Sequence, residues 1–291
     1  MLKTSSTDRR LPVVAFTVLV LCAPASAAAQ LLAAAEGPVA YGHHHINASD
    51  VAAHKRFWID GLGGQAVKLG TSSAEVVMFP NVLVFLTARA AGGGTKGTTV
   101  NHVGFETPDL RAAVDRVKAA GFRMVTREEV PADYDVRDDL GQRPGGNLIA
   151  FVMGPDDTKV ELVENRAATR QMAMHHVHFA GPDTPGMQAW YVRMFAAKPG
   201  TRSGFAAADL PGVNLTFGAT TGPVSGTRGR ALDHIGFEVN DLEAFCRRLE
   251  AAGVTFDRPF TKVPALGISI AFFTDPWGTY IELTEGLSAV K

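Results

Sequence analysis

The sequence predicts an α+β fold made of four successive units, each a strand, a helix and three strands. Three observations carry this. A histidine precedes an aspartate by seven residues four times, at His43/Asp50, His102/Asp109, His176/Asp183 and His234/Asp241. Each aspartate opens a segment of helical periodicity, as an N-cap does. Each unit then closes on a short strand, and the endings "GPDDTKVELVE" (154–164) and "DPWGTYIELTE" (275–285) are near copies. Such internal repetition outweighs any single motif as a guide to architecture.

Taken in order, unit 1 opens with "HHHINASDVAAHKRFW" (43–58) and ends in the apolar strand "NVLVFLTA" (81–88). Unit 2 opens with "TVNHVGFETPDLRAAV" (99–114); Leu110, Val114 and Val117 lie on one helical face, and Gly121 stops the helix. Unit 3 opens with "HVHFAGPDTPGMQAWY" (176–191) and ends in "GVNLTFGA" (212–219). Unit 4 opens with "ALDHIGFEVNDLEAF" (231–245); Leu242, Phe245 and Leu249 share a face before Gly253. Linkers are expected at 90–99, 165–173 and 220–230. Unit 2 is 11 residues longer than unit 4 between its aspartate and its glutamate, and the excess, "PADYDVRDDLGQRPGG" (131–146), is expected to be a loop and a candidate lid. The Gly-rich 90–99 stretch lacks the residue order of a phosphate-binding loop.

The first 29 residues read as a secretory signal peptide rather than as part of the fold. Lys3, Arg9 and Arg10 precede an apolar run from Leu11 to Ala23, and "APASAAAQ" offers small residues for cleavage. Pro24 cuts the run short of the roughly 20 residues a spanning helix needs. The expected location is therefore periplasmic or secreted, with no membrane association after cleavage. Removing the leader leaves Cys246 without an intramolecular disulfide partner, so stability must come from the core. It also moves the formal charge from −1 to about −3, which gives no footing for nucleic-acid binding. The remaining chain is long enough for about two domains of roughly 150 residues. The expected boundaries are 38–166 for units 1 and 2, and 172–287 for units 3 and 4.

Eight of the nine histidines (43, 44, 45, 102, 175, 176, 178 and 234) fall in the four unit-opening segments, and only His54 lies elsewhere. Glu161 and Glu282 occupy equivalent places in the last strands of units 2 and 4. Neutral imidazoles and a carboxylate suit iron(II), manganese, zinc or nickel, and two His with one carboxylate leave positions open for substrate oxygens. His45 and His178 lie two residues beyond His43 and His176, on the same face of a strand, and Tyr280 lies two before Glu282. His178 and Tyr280 are thus candidate acid–base groups. Trp58, Trp190 and Tyr191 read as helix packing, whereas Phe205, Phe260, Phe272 and Phe273 are candidates for an apolar pocket or for core.

The four repeated units, the His-to-Asp step and the "DPWGTYIEL" ending resemble the vicinal oxygen chelate superfamily, which includes glyoxalase I, extradiol ring-cleaving dioxygenases, fosfomycin resistance enzymes and bleomycin-binding proteins. The resemblance covers about residues 38–287. It implies that pairs of units form two half-open barrels, each able to hold a divalent metal on its first and last strands. Carried onto this chain, it implies His176, His234 and Glu282 as the favoured site, like the two-His, one-Glu site of extradiol dioxygenases, with His43, His102 and Glu161 as a second. Some four-unit members pair unit 1 with 4 and unit 2 with 3, which would instead join His43, His234 and Glu282, and His102, His176 and Glu161.

The chain departs from both reference activities. Units 1 and 3 end without the carboxylate that glyoxalase I uses there, and "TKVPALGISIAFFTD" lacks the His and Tyr that surround catechol in extradiol enzymes. The expected activity is an Fe(II) or Mn(II) dioxygenase-like reaction on a small oxygen-chelating substrate. Alternatives are a Zn(II)- or Ni(II)-dependent lyase or isomerase of glyoxalase type, a non-catalytic exported binding module, and a metal buffer. Free sheet edges leave self-association into a homo-oligomer open.

Overall fold

The computed structural model describes residues 38–69, 72–143 and 145–287, so the expected signal peptide lies outside the described residues. Unit 1 comprises β1 (Val39–Ala48), α1 (Val51–Lys55) running into a π-helical turn (Arg56–Gly61), β2 (Gln65–Val67), β3 (Glu75–Phe79) and β4 (Val82–Ala88). Unit 2 comprises β5 (Val100–Thr107), α2 (Leu110–Ala119), β6 (Arg123–Met124), α3 (Thr126–Glu129), β7 (Asp135–Arg137), β8 (Leu140–Gln142), β9 (Leu148–Met153) and β10 (Lys159–Glu164). Unit 3 comprises β11 (Ala173–Gly181), α4 (Thr184–Phe195), β12 (Lys198–Arg202), β13 (Phe205–Leu210) and β14 (Val213–Ala219). Unit 4 comprises β15 (Leu232–Val239), α5 (Leu242–Ala251), β16 (Phe256–Val263), β17 (Ile268–Thr274) and β18 (Tyr280–Glu285).

All four aspartates of the repeat are N-caps. Asp50, Asp109, Asp183 and Asp241 accept backbone N–H bonds from Ala53 (3.0 Å), Ala112 (3.0 Å), Gly186 (3.0 Å) and Ala244 (3.1 Å). The seven-residue step is therefore the length of strand and turn between a cup-facing histidine and the cap that starts the helix. Replacing Asp109 by alanine should cost about 1 kcal/mol and lower the melting temperature by about 2–4 °C without altering metal content. Thermal melting beside metal analysis checks this, and an unchanged Tm would show that the cap contributes nothing.

The strands form two open sheets that do not follow the expected division at 166/172. One runs β16-β17-β18-β15-β1-β4-β3-β2 and joins unit 4 to unit 1; the other runs β12-β13-β14-β11-β5-β10-β9-β8-β7 and joins unit 3 to unit 2. In each, two opening strands pair antiparallel at the centre, and each unit's last strand runs parallel to its own opening strand. The linkers follow the pairing. The 165–173 segment joins β10 to β11 within one sheet. The 90–99 and 220–230 segments cross between sheets side by side, with Gly92 N–H donating to Gly229 O (2.8 Å) and Ala231 N–H to Gly93 O (2.8 Å).

The insertion at 131–146 is a hairpin rather than a loop. β7 and β8 turn on Asp138 and Asp139, both at positive φ (50° and 66°), the backbone that two-residue hairpin turns demand. Through β8 and β9 this hairpin extends the edge of the second sheet.

The helices and the backs of the sheets share one apolar core. Trp58, Phe79 and Phe105 meet where unit 1 faces unit 2, and Phe195, Phe237 and Phe245 where unit 3 faces unit 4. Trp58, Trp190 and Tyr191 belong to this core as expected, and so does Phe273. With their backs buried, the sheets leave the histidine-bearing faces to form cups.

Candidate metal centres

The register of the opening strands places the histidines. In the first cup β1 and β15 set His45 opposite His234 and His43 opposite Gly236; in the second, β11 and β5 set His178 opposite His102 and His176 opposite Gly104. The glutamates lie one strand further out, Glu282 beside Gly236 and Glu161 beside Gly104. At the corresponding places in units 1 and 3, Phe85 stands beside His45 and Thr216 beside His178. Each cup therefore has one carboxylate at these last-strand positions. The favoured set of His176, His234 and Glu282 does not assemble, because β11 and β15 belong to different sheets. The 1+4 and 2+3 sets do.

In the first cup Glu282 Oε2 lies 2.8 Å from His43 Nε2 and 3.0 Å from His234 Nε2. In the second, Glu161 Oε2 lies 2.9 Å from His102 Nε2 and 3.1 Å from His176 Nε2, with the two Nε2 atoms 3.3 Å apart. Donor atoms sharing one ion at about 2.0–2.1 Å stand about 3 Å apart, so both sets fit a divalent cation. Among the described residues, the donor atoms of His43, His234 and Glu282 lie within 4.8 Å of one another, as do those of His102, His176 and His178.

The far nitrogens are held in ways that suit ligation. His234 Nδ1–H donates to Asp233 Oδ1 (2.7 Å), and His102 Nδ1–H to Asn101 Oδ1 (2.9 Å), which turns each Nε2 lone pair toward the carboxylate. Asp233 in turn accepts from Gly229 N–H (2.7 Å) and Asn47 Nδ2 (3.1 Å). Against the upward push of burial, the bonds from His234 and Gly229 hold Asp233 down at about 2. His176 Nδ1 meets His175 Nδ1 at 2.7 Å, whereas His43 Nδ1 is buried with no partner among the described residues.

Burial lowers His102 to about 4, which keeps the imidazole neutral at pH 7, as a metal ligand must be. Burial opposes ionisation of Glu161 and Glu282, but the facing histidines bring both carboxyls below the ordinary range.

His178 and Tyr280 lie in different cups. The His178 ring stacks on His102 with centroids 4.6 Å apart, and burial with the neighbouring His102 and His176 keeps it neutral. Tyr280 stacks on Phe272 at 5.5 Å, stands edge-on to His234 at 5.7 Å, and carries Arg228 over its ring at 4.5 Å. His45, stacked on Phe85, is held by Thr87 Oγ1 at 2.5 Å. Aromatic rings thus line the first cup. The second opens into a cavity of about 810 Å³ lined by His102, His176, His178 and Glu161 together with Phe205 and residues of the 131–146 insertion.

Asn101, Asp233, Gly104 and Gly236 were not singled out from the sequence. Their signal is present in "NHVGF" and "DHIGF", where a polar residue precedes the histidine and a glycine follows two later, in units 2 and 4 alone.

A cup on paired strand–helix–three-strand units, with histidines on the opening strands and a glutamate on a last strand, defines a metal-chelating α+β class. The chain belongs to the Glyoxalase/Bleomycin resistance protein/Dioxygenase superfamily, whose family model matches residues 40–151 and 121–283. It is 36% identical over 73 residues to a probable lactoylglutathione lyase of Vibrio cholerae, and 34% identical over 71 residues to a lactoylglutathione lyase of Haemophilus influenzae. These matches span 25% and 24% of this chain and 45% and 44% of those relatives, so the chain spans less than half of the curated relatives it matches. Its fold is similar to glyoxalase I from Zea mays (TM-score 0.68, 16% identity, 86% of this chain and 94% of that one). It is also similar to a putative dioxygenase from Bacillus subtilis (TM-score 0.59, 13% identity, 84% of each).

Proposed function

We propose that the chain is a divalent-metal-dependent enzyme whose working site is the cup between units 2 and 3, acting on a small substrate that chelates through adjacent oxygens. The observation that carries this is the meeting of His102, His176 and Glu161 within 3.3 Å of one another at a cavity of about 810 Å³. When bound, a divalent ion supplies Lewis acidity to the substrate oxygens and, if it is redox-active, electrons for dioxygen. Glu161 contributes the one negative charge among the three ligands, and Asn101 fixes the His102 tautomer. No hydrogen bond among the described residues engages the His178 ring, which leaves a neutral base beside the substrate position. His178→Gln should retain metal and lower kcat by about 10²–10⁴-fold, measured by single-turnover kinetics beside metal analysis; unchanged kcat would remove His178 from the reaction.

We infer dioxygenase-type chemistry with Fe(II) or Mn(II), because two histidines and one carboxylate leave sites open for both substrate and dioxygen. A glyoxalase-type isomerisation with Zn(II) or Ni(II) is the second reading, favoured by the names of the relatives matched over 73 and 71 residues. Protein prepared anaerobically and loaded with each metal separates them. Dioxygen uptake on addition of enediol or phenolic substrates supports the first. Metal-dependent turnover of a hemithioacetal without dioxygen supports the second. A chain that binds no metal under reconstitution would overturn both.

A further inference from the structure

Four cationic side chains line the second cup, Lys96, Lys159, Arg143 and Arg202, against two carboxylates, Glu129 and Glu161. Both carboxylates are already engaged. Glu129 Oε1 accepts from Lys96 Nζ (2.8 Å) and its Oε2 from Lys159 Nζ (2.7 Å), while Glu161 faces His102 and His176. Neither arginine has a carboxylate partner among the described residues. Arg143 Nη2 donates to Ser203 O at 3.0 Å, and Arg202 Nη2 contacts the His175 ring, which itself touches His176.

These two arginines reach the cavity from different units. Arg143 comes from the insertion peculiar to unit 2, Arg202 from the end of β12 in unit 3, and they converge at the Arg202–Ser203 turn. Arg202 is only partly exposed, and burial lowers its guanidinium below the ordinary value despite Glu161, Asp209 and Glu106 nearby. A half-buried guanidinium with no carboxylate in ion-pair contact among the described residues is the donor fork that a planar oxyanion satisfies. In the other cup Arg228 already has Asp257 at 3.5 Å and the Tyr280 ring beneath it. The remaining wall of the second cup is largely apolar, with Val130, Ile149 and Phe205.

We propose that the second cup takes an organic carboxylic acid with an apolar body, its carboxylate held by Arg202 and Arg143. This deepens the reading of that cup as the substrate site and rests on it, because it names the class of substrate the metal-binding residues would face.

Titration calorimetry on the zinc-reconstituted full chain tests it, with phenylpyruvate, its uncharged methyl ester and phenyl phosphate as probes. Phenylpyruvate should bind saturably and at least tenfold more tightly than the ester. Arg202→Gln and Arg143→Gln should each weaken phenylpyruvate at least tenfold while leaving ester affinity, zinc content and Tm unchanged. Ester as tight as acid, variants that bind phenylpyruvate like the parent, or no saturable binding of phenylpyruvate would each overturn the proposal. Phenyl phosphate binding more tightly than phenylpyruvate would overturn the carboxylate assignment. Failure of the metal reading looks different: the chain would bind no zinc, yet phenylpyruvate would still bind in an arginine-dependent way. Conversely, a chain that holds zinc but treats acid and ester alike loses the acid site and keeps the metal centre.

Discussion

Gly104→Ala should remove the metal from the second cup, and Gly236→Ala should remove it from the first, each leaving the other cup loaded. Both glycines lie in extended backbone that any residue adopts, so a backbone requirement does not account for them. The requirement is space. Gly104 stands opposite His176 and Gly236 opposite His43 across the central antiparallel pair, and a Cβ at either place would lie only 2.0 Å from Cε1 of the facing imidazole. The added methyl must push that ring out of line with the glutamate or force the two central strands apart, and overpacking of this kind typically costs about 1–3 kcal/mol. A displaced ring costs metal binding more than stability, because three donors now within 3.3 Å of one another lose their common centre. Metal analysis of the two variants, each beside the parent, should show half the parent's stoichiometry, and the d–d spectrum of the cobalt-substituted protein should lose one of two components. Full stoichiometry in either variant would mean that the facing histidine is not a ligand.

The same pair of positions shows where the sequence is informative and where it is not. The repeat is legible because each unit must solve the same local problem: a histidine in a strand, a turn, and an aspartate to satisfy the first N–H groups of a helix. All four aspartates cap, and the aromatic helix residues expected to pack do so. The type of site, two histidines and one glutamate, was equally legible, since any pairing of the units that joins an odd one to an even one produces it. Its membership was not. Whether His176 meets His234 or His102 depends on which opening strands hydrogen-bond, and strands with nearly the same pattern carry no mark of partner. The linkers, of nearly equal length, carry none either: 165–173 joins units 2 and 3 within one sheet while 90–99 and 220–230 cross together between sheets. The 131–146 insertion illustrates a different loss. Its polar composition reads as loop, yet Asp138–Asp139 supplies a hairpin turn and the existing edge strand β9 supplies the pairing that an isolated short hairpin lacks. Arg143 reaches the second cup because of that pairing.

The second large effect expected concerns the two glutamates, whose removal should not be equivalent. Glu161→Gln should lower turnover by at least about 10³-fold, whereas Glu282→Gln should leave most of it, although each should cost metal in its own cup. The chemical loss is the same in both: a neutral amide removes the only negative charge among the three ligands, and with it much of the attraction for a divalent ion. The difference lies in what surrounds each centre. Around Glu282, His45 is stacked on Phe85 and tied to Thr87, and Phe272 and Tyr280 stack beside His234. Around Glu161, Thr216 takes the place of Phe85, His178 is free of hydrogen bonds among the described residues, and the cavity of about 810 Å³ opens over the histidines. A metal in the first cup would therefore be flanked by aromatic rings, and one in the second would face the cavity and its substrate. Steady-state rates should be measured at saturating metal for both variants, with metal content and Tm determined on the same samples. Equal losses would show that both cups turn over, and a larger loss in Glu282→Gln would move the working site to the cup between units 1 and 4. Retained turnover in Glu161→Gln with that cup empty of metal would remove the second cup from catalysis altogether, because no other carboxylate in its lining is free to replace Glu161 while Glu129 bridges Lys96 and Lys159.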